Sequence, residues 1–279
     1  MNEKTRKRIL PDGWYPGSRE DVLDILERWD RKKKLEENQN ALSVIVPHAG
    51  WVYSGETAFQ ALSAIPRDIQ TIVIAGGHLG INEKPLAAKE ETFNATLGTL
   101  HSDIELLSYL SGETTFYLDS YPDNTVEINL PIIKYLFPES RILWLRMPAN
   151  YEVIKFIARN IYEYSEKNKK TIAIAGSTDL THYGYNYGFH PHGTGKEGLE
   201  WVKTVNDREF IDYISDYQIE RAIEHSRTNM SACSAGAAGL AAEYALLKKC
   251  KKGKLISYHT SYDVAPSDSF VGYAGIIFA

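Results

Sequence analysis

Four residues that could bind a metal or transfer a proton follow short apolar runs of the kind that forms buried strands. They are His48 after residues 42–46, His78 after residues 71–75, and Asp179 and His182 after residues 171–175. Imidazole is the commonest protein ligand for transition metals and a frequent general acid or base. A lone histidine at a strand end is more often simply hydrogen-bonded, but three in equivalent positions predict a metal site.

Cys233 is a further candidate ligand. It lies in a run of small residues, 231–239, at the start of a predicted helix that ends near Lys249. The helix dipole favours the thiolate, which is the form that binds metal, although the small neighbours equally suit close packing of the helix on a sheet. The sequence around Cys233 therefore leaves two interpretations open, a metal ligand and a packing residue. Cys250 lies among lysines and is interpreted as a bystander.

Asp179 and Glu127 are the candidate acids. Two residues separate Asp179 from His182. In a helical turn these two side chains would share a face, so the carboxylate can orient the imidazole for proton transfer. A solvated loop pair is the alternative. Glu127 lies early in a predicted helix, where it also complements the helix dipole. The remaining histidines support no functional role: His101, His190, His192, His225 and His259.

The order of the predicted elements indicates how these residues meet. Strands alternate with helices, which favours a mostly parallel sheet covered on both faces. The predicted strands are 42–46, 71–75, 142–145 and 171–175. A first helix is predicted after Ser18, and three further helices are predicted over 55–64, 126–136 and 151–164. Two last strands, 255–262 and 270–278, predict an antiparallel pair and therefore a mixed sheet. Ligands of such sheets bind beyond the carboxyl ends of the strands, where the candidate residues lie.

Composition limits the classes of function. The chain has 279 residues and a formal net charge of −5, so it lacks the positive field that attracts nucleic acid or an anionic membrane. No apolar stretch reaches the roughly 18 residues of a membrane helix, and no apolar segment follows the basic N-terminus. We expect a cytoplasmic protein with one α/β domain over residues 1–279 and both cysteines as free thiols.

Several motifs together resemble those of the MEMO family, which includes proteins named AmmeMemoRadiSam system protein B. The principal match is VPHAGWVYSG at residues 46–55. Further matches follow in the family's order: GWYP at 13–16, GH at 77–78, TLG at 96–98, VE at 126–127, LP at 130–131, STDLTHYG at 177–184, Cys233, SYD at 261–263 and VGY at 271–273. The likeness covers nearly the whole chain.

The resemblance implies a fold similar to that of class III extradiol dioxygenases, which use non-haem Fe(II). It also implies a metal site of His48, His78 and Cys233, with Glu127, Asp179 and His182 lining the same pocket. Fe(II) is the first expectation for the metal. A cysteine in place of the carboxylate of a facial triad softens the site and favours copper as well.

The chain departs from the family pattern at several positions. Asn124 replaces a usual histidine, Leu79 the second histidine of a His-His pair, and Ser234 the glycine after the cysteine, while Trp51 stands where tyrosine is common. The loss of pocket imidazoles bears more on acid–base catalysis than on metal binding.

Three functions remain open at this point. The first is a mononuclear iron or copper oxidoreductase in which His182, oriented by Asp179, moves a proton and Glu127 is a further pocket acid. The second is a non-catalytic metal-binding, ligand-binding or signalling protein, and the third and weakest is a metal-assisted hydrolase. The expected partner is a small molecule or peptide in the strand-end pocket, and the sequence does not decide whether the chain forms a homo-oligomer.

Overall fold

One mixed β-sheet runs through the computed structural model, which describes residues 4–32 and 39–279. Its strands are β1 (Thr5–Arg6), β2 (Ser43–Val46), β3 (Thr71–Leu79), β4 (Leu86–Ala87), β5 (Thr92–Asn94), β6 (Thr99–Ser102), β7 (Tyr117–Leu118), β8 (Arg141–Pro148), β9 (Ile172–Ser177), β10 (His182–Tyr183), β11 (Lys254–Thr260) and β12 (Phe270–Phe278). The central strands β6, β8, β3, β9 and β2 are parallel neighbours in that order. The predicted antiparallel pair is confirmed as β11 and β12, and β12 also pairs with β2 and β10.

Helices cover both faces of this sheet, as predicted. They are α1 (Arg19–Lys32), α2 (Trp51–Leu62), α3 (Ile104–Glu113), α4 (Asn124–Glu127), α5 (Leu130–Leu136), α6 (Tyr151–Asn168), α7 (Lys196–Trp201), α8 (Asp207–Ser215), α9 (Ile219–Asn229), α10 (Ala235–Leu247) and α11 (Ser261–Val264). Because side chains alternate across a strand, Val73 of β3 packs with the cluster of α6, α8, α9 and α10, whereas Ile72 and Ile74 pack with that of α1, α2 and α5.

Helix α10 is buried along almost its whole length against the sheet and α6. Its small residues make this close packing feasible. A Cβ atom on Gly236 would collide with the carbonyl oxygen of Pro148, and one on Gly176 of β9 would collide with the carbonyl oxygen of Ala237. The packing interpretation of the small residues 231–239 is therefore confirmed for Gly236.

Several predicted boundaries differ from the structure, two of them for identifiable reasons. The single helix expected over 126–136 is two helices, α4 and α5, because Pro131 has no backbone N–H and is tolerated only in a first helical turn, where it stands in α5. Helix α2 begins at Trp51, four residues earlier than predicted, directly after the strand-end segment that carries His48. Among the described residues, every helix falls short of the length and apolar character that a bilayer crossing requires.

Candidate metal centre

Three neighbouring parallel strands deliver the candidate residues to one edge of the sheet. Strands β2 and β3 both pair with β9, so His48, His78 and Asp179 come from adjacent strand ends. Cys233 approaches from the segment before α10, where its N–H donates to the carbonyl oxygen of Asp179 at 3.2 Å. The predicted convergence at the carboxyl ends of the strands is present.

His48, His78 and Cys233 have the spacing of ligands to one metal ion. The Sγ atom of Cys233 lies 3.2 Å from Nε2 of His48, and one potential ligand atom from each residue lies within 4.8 Å of the others. Metal–ligand bonds of about 2.0–2.3 Å hold the donor atoms of neighbouring ligands roughly 3–4 Å apart. The two imidazole rings lie edge to face, with centroids 5.2 Å apart. The three residues therefore fit a single ion.

Both histidines use Nδ1 for a hydrogen bond to the protein. Nδ1 of His48 lies 3.1 Å from Oγ of Ser177, and Nδ1 of His78 lies 3.0 Å from a carboxylate oxygen of Asp123. Histidines that bind metals usually engage their second nitrogen in this way, which fixes the orientation of the ring. Nε2 is consequently the nitrogen that each ring offers to a metal.

His48, His78 and Cys233 form a group called here the His-Cys cluster. Its electrostatics favour a charged thiolate on Cys233. Burial alone would raise the pKa of Cys233, but the neighbouring His48 and His78 bring that pKa well below its ordinary value. Burial opposes a charge on His78, yet hydrogen bonds with Asp123 and Cys233 raise its pKa to about 10. For His48 the effect of burial is likewise outweighed, chiefly by Asp179 and Cys233, and its pKa is raised. Because ligand nitrogens must be unprotonated, metal binding here would release protons.

Asp179 and His182 both line the cavity beside the cluster, but among the described residues no hydrogen bond joins them. The Asp179 carboxylate accepts the backbone N–H of His48 at 2.7 Å, and burial raises its pKa. Nδ1 of His182 lies 3.2 Å from the carbonyl oxygen of Leu180. The helical turn that this prediction assumed is absent, because residues 178–181 belong to no helix and lead from β9 into β10.

Glu127 has a different environment from the one expected of a pocket acid. Its buried carboxylate accepts the N–H groups of Ile9 and Leu10 and the hydroxyl of Tyr15 at 2.8–3.2 Å. It is not among the residues that line the cavity beside the His-Cys cluster. Its contacts attach the N-terminal segment to the body of the protein.

A cavity of about 520 Å³ opens beside His48 and His78. Its lining includes four aromatic residues, Trp14, Tyr53, Tyr187 and Tyr273, and three serines, and no lysine or arginine lines it within the described residues. This volume suits a small molecule. Aromatic faces and hydroxyl groups favour a ligand that is flat or weakly polar over one with several negative charges.

Two departures from the family pattern have visible consequences here. The Asn124 side-chain amide donates to the carbonyl oxygen of His48 at 2.9 Å, so it supports the ligand segment but supplies no imidazole. Ser234 packs directly against Gly77, where a Cβ atom would collide with the serine side chain. The residue after Cys233 and the residue before His78 are thereby in contact.

Sequence reasoning missed the residues that hold the ligands. Asp123, Ser177 and Thr178 have no distinctive spacing, although the polar triplet of Ser177, Thr178 and Asp179 directly after a strand was a usable signal. The Thr178 hydroxyl accepts the backbone N–H of Ser234 at 3.1 Å and lies 3.9 Å from the Cys233 sulfur. These contacts connect the end of β9 to the start of α10.

Comparison with known proteins places this chain among related sequences. It matches the family model described as Memo-like protein over residues 6–277. A MEMO1 family protein of Thermococcus onnurineus is 30% identical over 98% of this chain and 99% of the relative. Those of Thermococcus kodakarensis and Pyrococcus furiosus are 31% and 27% identical, also over 98% of this chain. The similarity extends well beyond the His-Cys cluster.

Proposed function

This chain belongs to the Memo-like protein family, and from that premise we propose that it is a mononuclear non-haem iron or copper oxidoreductase. His48, His78 and Cys233 would hold the metal, and a small molecule would bind in the adjoining cavity. The observation that carries the proposal is the 3.2 Å separation of the Cys233 sulfur from Nε2 of His48, with Nδ1 of both histidines already bonded to the protein.

The donor set supports a redox-active metal. Two imidazoles suit iron, copper and zinc alike, whereas a thiolate favours softer ions and an electron-rich centre. One oxygen of the Asp179 carboxylate accepts the N–H of His48, and the other lies 3.8 Å from Nε2 of the same residue. Fe(II) remains the first proposal, on the likeness to extradiol dioxygenases, and copper is the second. A hydrolytic zinc site would more often combine histidine with a carboxylate.

A bound ion of this kind would supply Lewis-acid and electron-transfer chemistry. The protein's own contribution lies in the residues around the cavity. If Nδ1–H of His182 donates to the Leu180 carbonyl oxygen, Nε2 carries the lone pair and can accept a proton from a ligand hydroxyl. The ring is further held by an edge-to-face contact with Tyr187, at a centroid distance of 5.0 Å. His182 is accordingly the proposed general base.

A non-catalytic function as a metal-binding or signalling protein is the second candidate. One observation favours it: the amide of Asn124 points to the His48 carbonyl, where the family pattern has an imidazole. Apart from the metal ligands, His182 is then the only histidine among the described residues lining the cavity. The two candidates share the metal centre and differ in turnover.

A metal titration tests the shared centre. Metal-free protein is titrated anaerobically with Co(II), whose sulfur-to-metal charge-transfer absorption reports a thiolate ligand. We expect one equivalent to give this absorption in the wild type and in Cys250→Ser, and Cys233→Ser to lack it. The same absorption in Cys233→Ser, or none in the wild type, would refute the proposed ligand set.

Oxygen uptake by Fe(II)-loaded and copper-loaded protein, with catechol as the probe, separates the two candidates. Uptake above that of the free metal, and its loss in His48→Ala, would support the oxidoreductase. Metal binding without uptake for a range of diols and related aromatics would favour the non-catalytic function.

A further inference from the structure

We propose that Asp123 is the positioning residue of the metal centre: its carboxylate holds Nδ1 of His78 and thereby directs Nε2 of that ring toward Cys233. This inference rests on the proposed metal site. It adds a residue that neither the motifs nor the family resemblance singled out.

The contacts of Asp123 match this role. One carboxylate oxygen lies 3.0 Å from Nδ1 of His78 and 3.2 Å from a guanidinium nitrogen of Arg146. The other accepts the backbone N–H of Thr125 at 2.9 Å, as the N-cap of α4, and also the Thr125 hydroxyl. A carboxylate with four partners has little freedom to rotate, so the ring that it holds is fixed as well.

Arg146 braces the same unit from the neighbouring strand. Its Nε donates to the carbonyl oxygen of Gly77 at 2.9 Å, and another nitrogen lies 3.3 Å from Asp119. Asp119 in turn accepts the indole N–H of Trp144 at 2.7 Å. Arg146 therefore contacts the peptide unit before His78 as well as the carboxylate that holds its ring.

The backbone of His78 shows why such bracing is needed. Its φ angle is +60°, a left-handed conformation that costs a non-glycine residue on the order of 1 kcal/mol or more. Without external contacts the residue would relax and move its imidazole. Asp123 fixes the side chain and Arg146 fixes the preceding carbonyl, so the conformation is maintained at both ends.

The two histidines are held by chemically different groups. Nδ1 of His48 is hydrogen-bonded to the neutral hydroxyl of Ser177, whereas Nδ1 of His78 is hydrogen-bonded to the carboxylate of Asp123. A carboxylate partner makes an imidazole a stronger metal donor than a neutral partner does. Removing the Asp123 carboxylate should therefore weaken both the orientation and the donor strength of His78.

The test compares metal affinity in Asp123→Ala, Asp123→Asn and Asp123→Glu. Dissociation constants for Fe(II) and Co(II) are measured by competition with a chelator, together with the Co(II) absorption spectrum. We expect Asp123→Ala to weaken binding about 10–100-fold and to alter the ligand-field bands. Asp123→Asn, which keeps an acceptor but no charge, should lie between, and Asp123→Glu should restore part of the affinity.

Asp103→Asn is the matched control for a general loss of stability. Asp103 is buried, and like Asp123 it caps a helix, by accepting the N–H of Leu106, and pairs with a cation, Lys170, away from the centre. The Asp103→Asn variant should leave the metal affinity and the Co(II) absorption spectrum unchanged. Wild-type affinity in folded Asp123→Ala would overturn the inference while leaving the metal site intact. A wild type that binds neither metal would instead refute the proposed function.

Discussion

The Cys233 sulfur and the His48 Nε2 atom lie 3.2 Å apart although 185 positions separate the two residues in the chain. His48 follows the central strand β2, and Cys233 precedes the buried helix α10. Their proximity depends on the glycines that let α10 approach the sheet. The fold thus makes a thiolate–imidazole pair that neither segment could make alone.

The first prediction concerns the charge on Cys233 in the metal-free protein. Because the neighbouring histidines lower its pKa well below the ordinary value, the Cys233 thiolate should form at a lower pH than the thiolate of an ordinary cysteine. The ultraviolet thiolate absorption, taken as wild type minus Cys233→Ser, measures this.

Cys250 provides the internal control for this titration. Burial raises its pKa, so wild type minus Cys250→Ser should show no thiolate at about pH 7. A thiolate signal that survives in Cys233→Ser and disappears in Cys250→Ser would contradict the assignment.

A second prediction concerns Asp207, whose buried carboxylate accepts the N–H and hydroxyl of Thr181 and the hydroxyl of Tyr258. Burial raises its pKa from 3.8 to about 7. The folded state therefore keeps a proton that the unfolded state loses, and the contribution of Asp207 to stability falls as pH rises from about 4 to about 7.

The variant Asp207→Asn removes this pH dependence. At about 1.4 kcal/mol for each pH unit, the free energy of unfolding of the variant relative to wild type should rise by up to roughly 4 kcal/mol across that interval. Urea unfolding at several pH values measures the difference. A relative stability that stays constant with pH would show that Asp207 is ionised in the folded protein.

The third prediction concerns Glu127, whose carboxylate accepts hydrogen bonds from Ile9, Leu10 and Tyr15. Glu127→Ala leaves these donors without their acceptor and should lower the free energy of unfolding by about 3 kcal/mol. Faster amide hydrogen exchange at residues 9 and 10 should accompany this loss, with metal content unchanged. Loss of metal without loss of stability would instead show that Glu127 acts at the metal site.

The fourth prediction concerns proton transfer by His182. His182→Asn should keep the metal and lower oxidative turnover by about 10²–10⁴-fold, since a general base typically contributes that factor. His192→Asn is the matched control, because His192 is exposed and stacks on Trp201 with centroids 4.2 Å apart. Equal turnover in both variants would remove His182 from the mechanism.

The strand ends were predictable because their residues are local. A buried β-branched run followed by glycine or proline and a polar residue indicates where a parallel strand stops, and His48, His78 and Asp179 follow from this pattern. The helix after Cys233 was visible for a similar reason. The pattern could not decide whether Cys233 binds or packs, since that depends on the distance between α10 and the sheet.

The supporting contacts could not be predicted, because they join segments distant in sequence. Asp123 meets Arg146 and His78 only after β3 and β8 pair, and Glu127 meets Ile9 only after the N-terminal segment folds back. The expected pairing of Asp179 with His182 assumed a helical turn, and residues 178–181 form none. Spacing alone does not specify backbone conformation.

The metal content of protein purified anaerobically is the most direct test of the proposed centre of His48, His78 and Cys233. Elemental mass spectrometry is applied to the wild type and to His48→Ala, His78→Ala and Cys233→Ala, with Cys250→Ala as the control. We predict near-stoichiometric iron or copper in the wild type and the control, and its loss in the other three variants. A folded wild type that holds no metal, even after reconstitution with either ion, would contradict it.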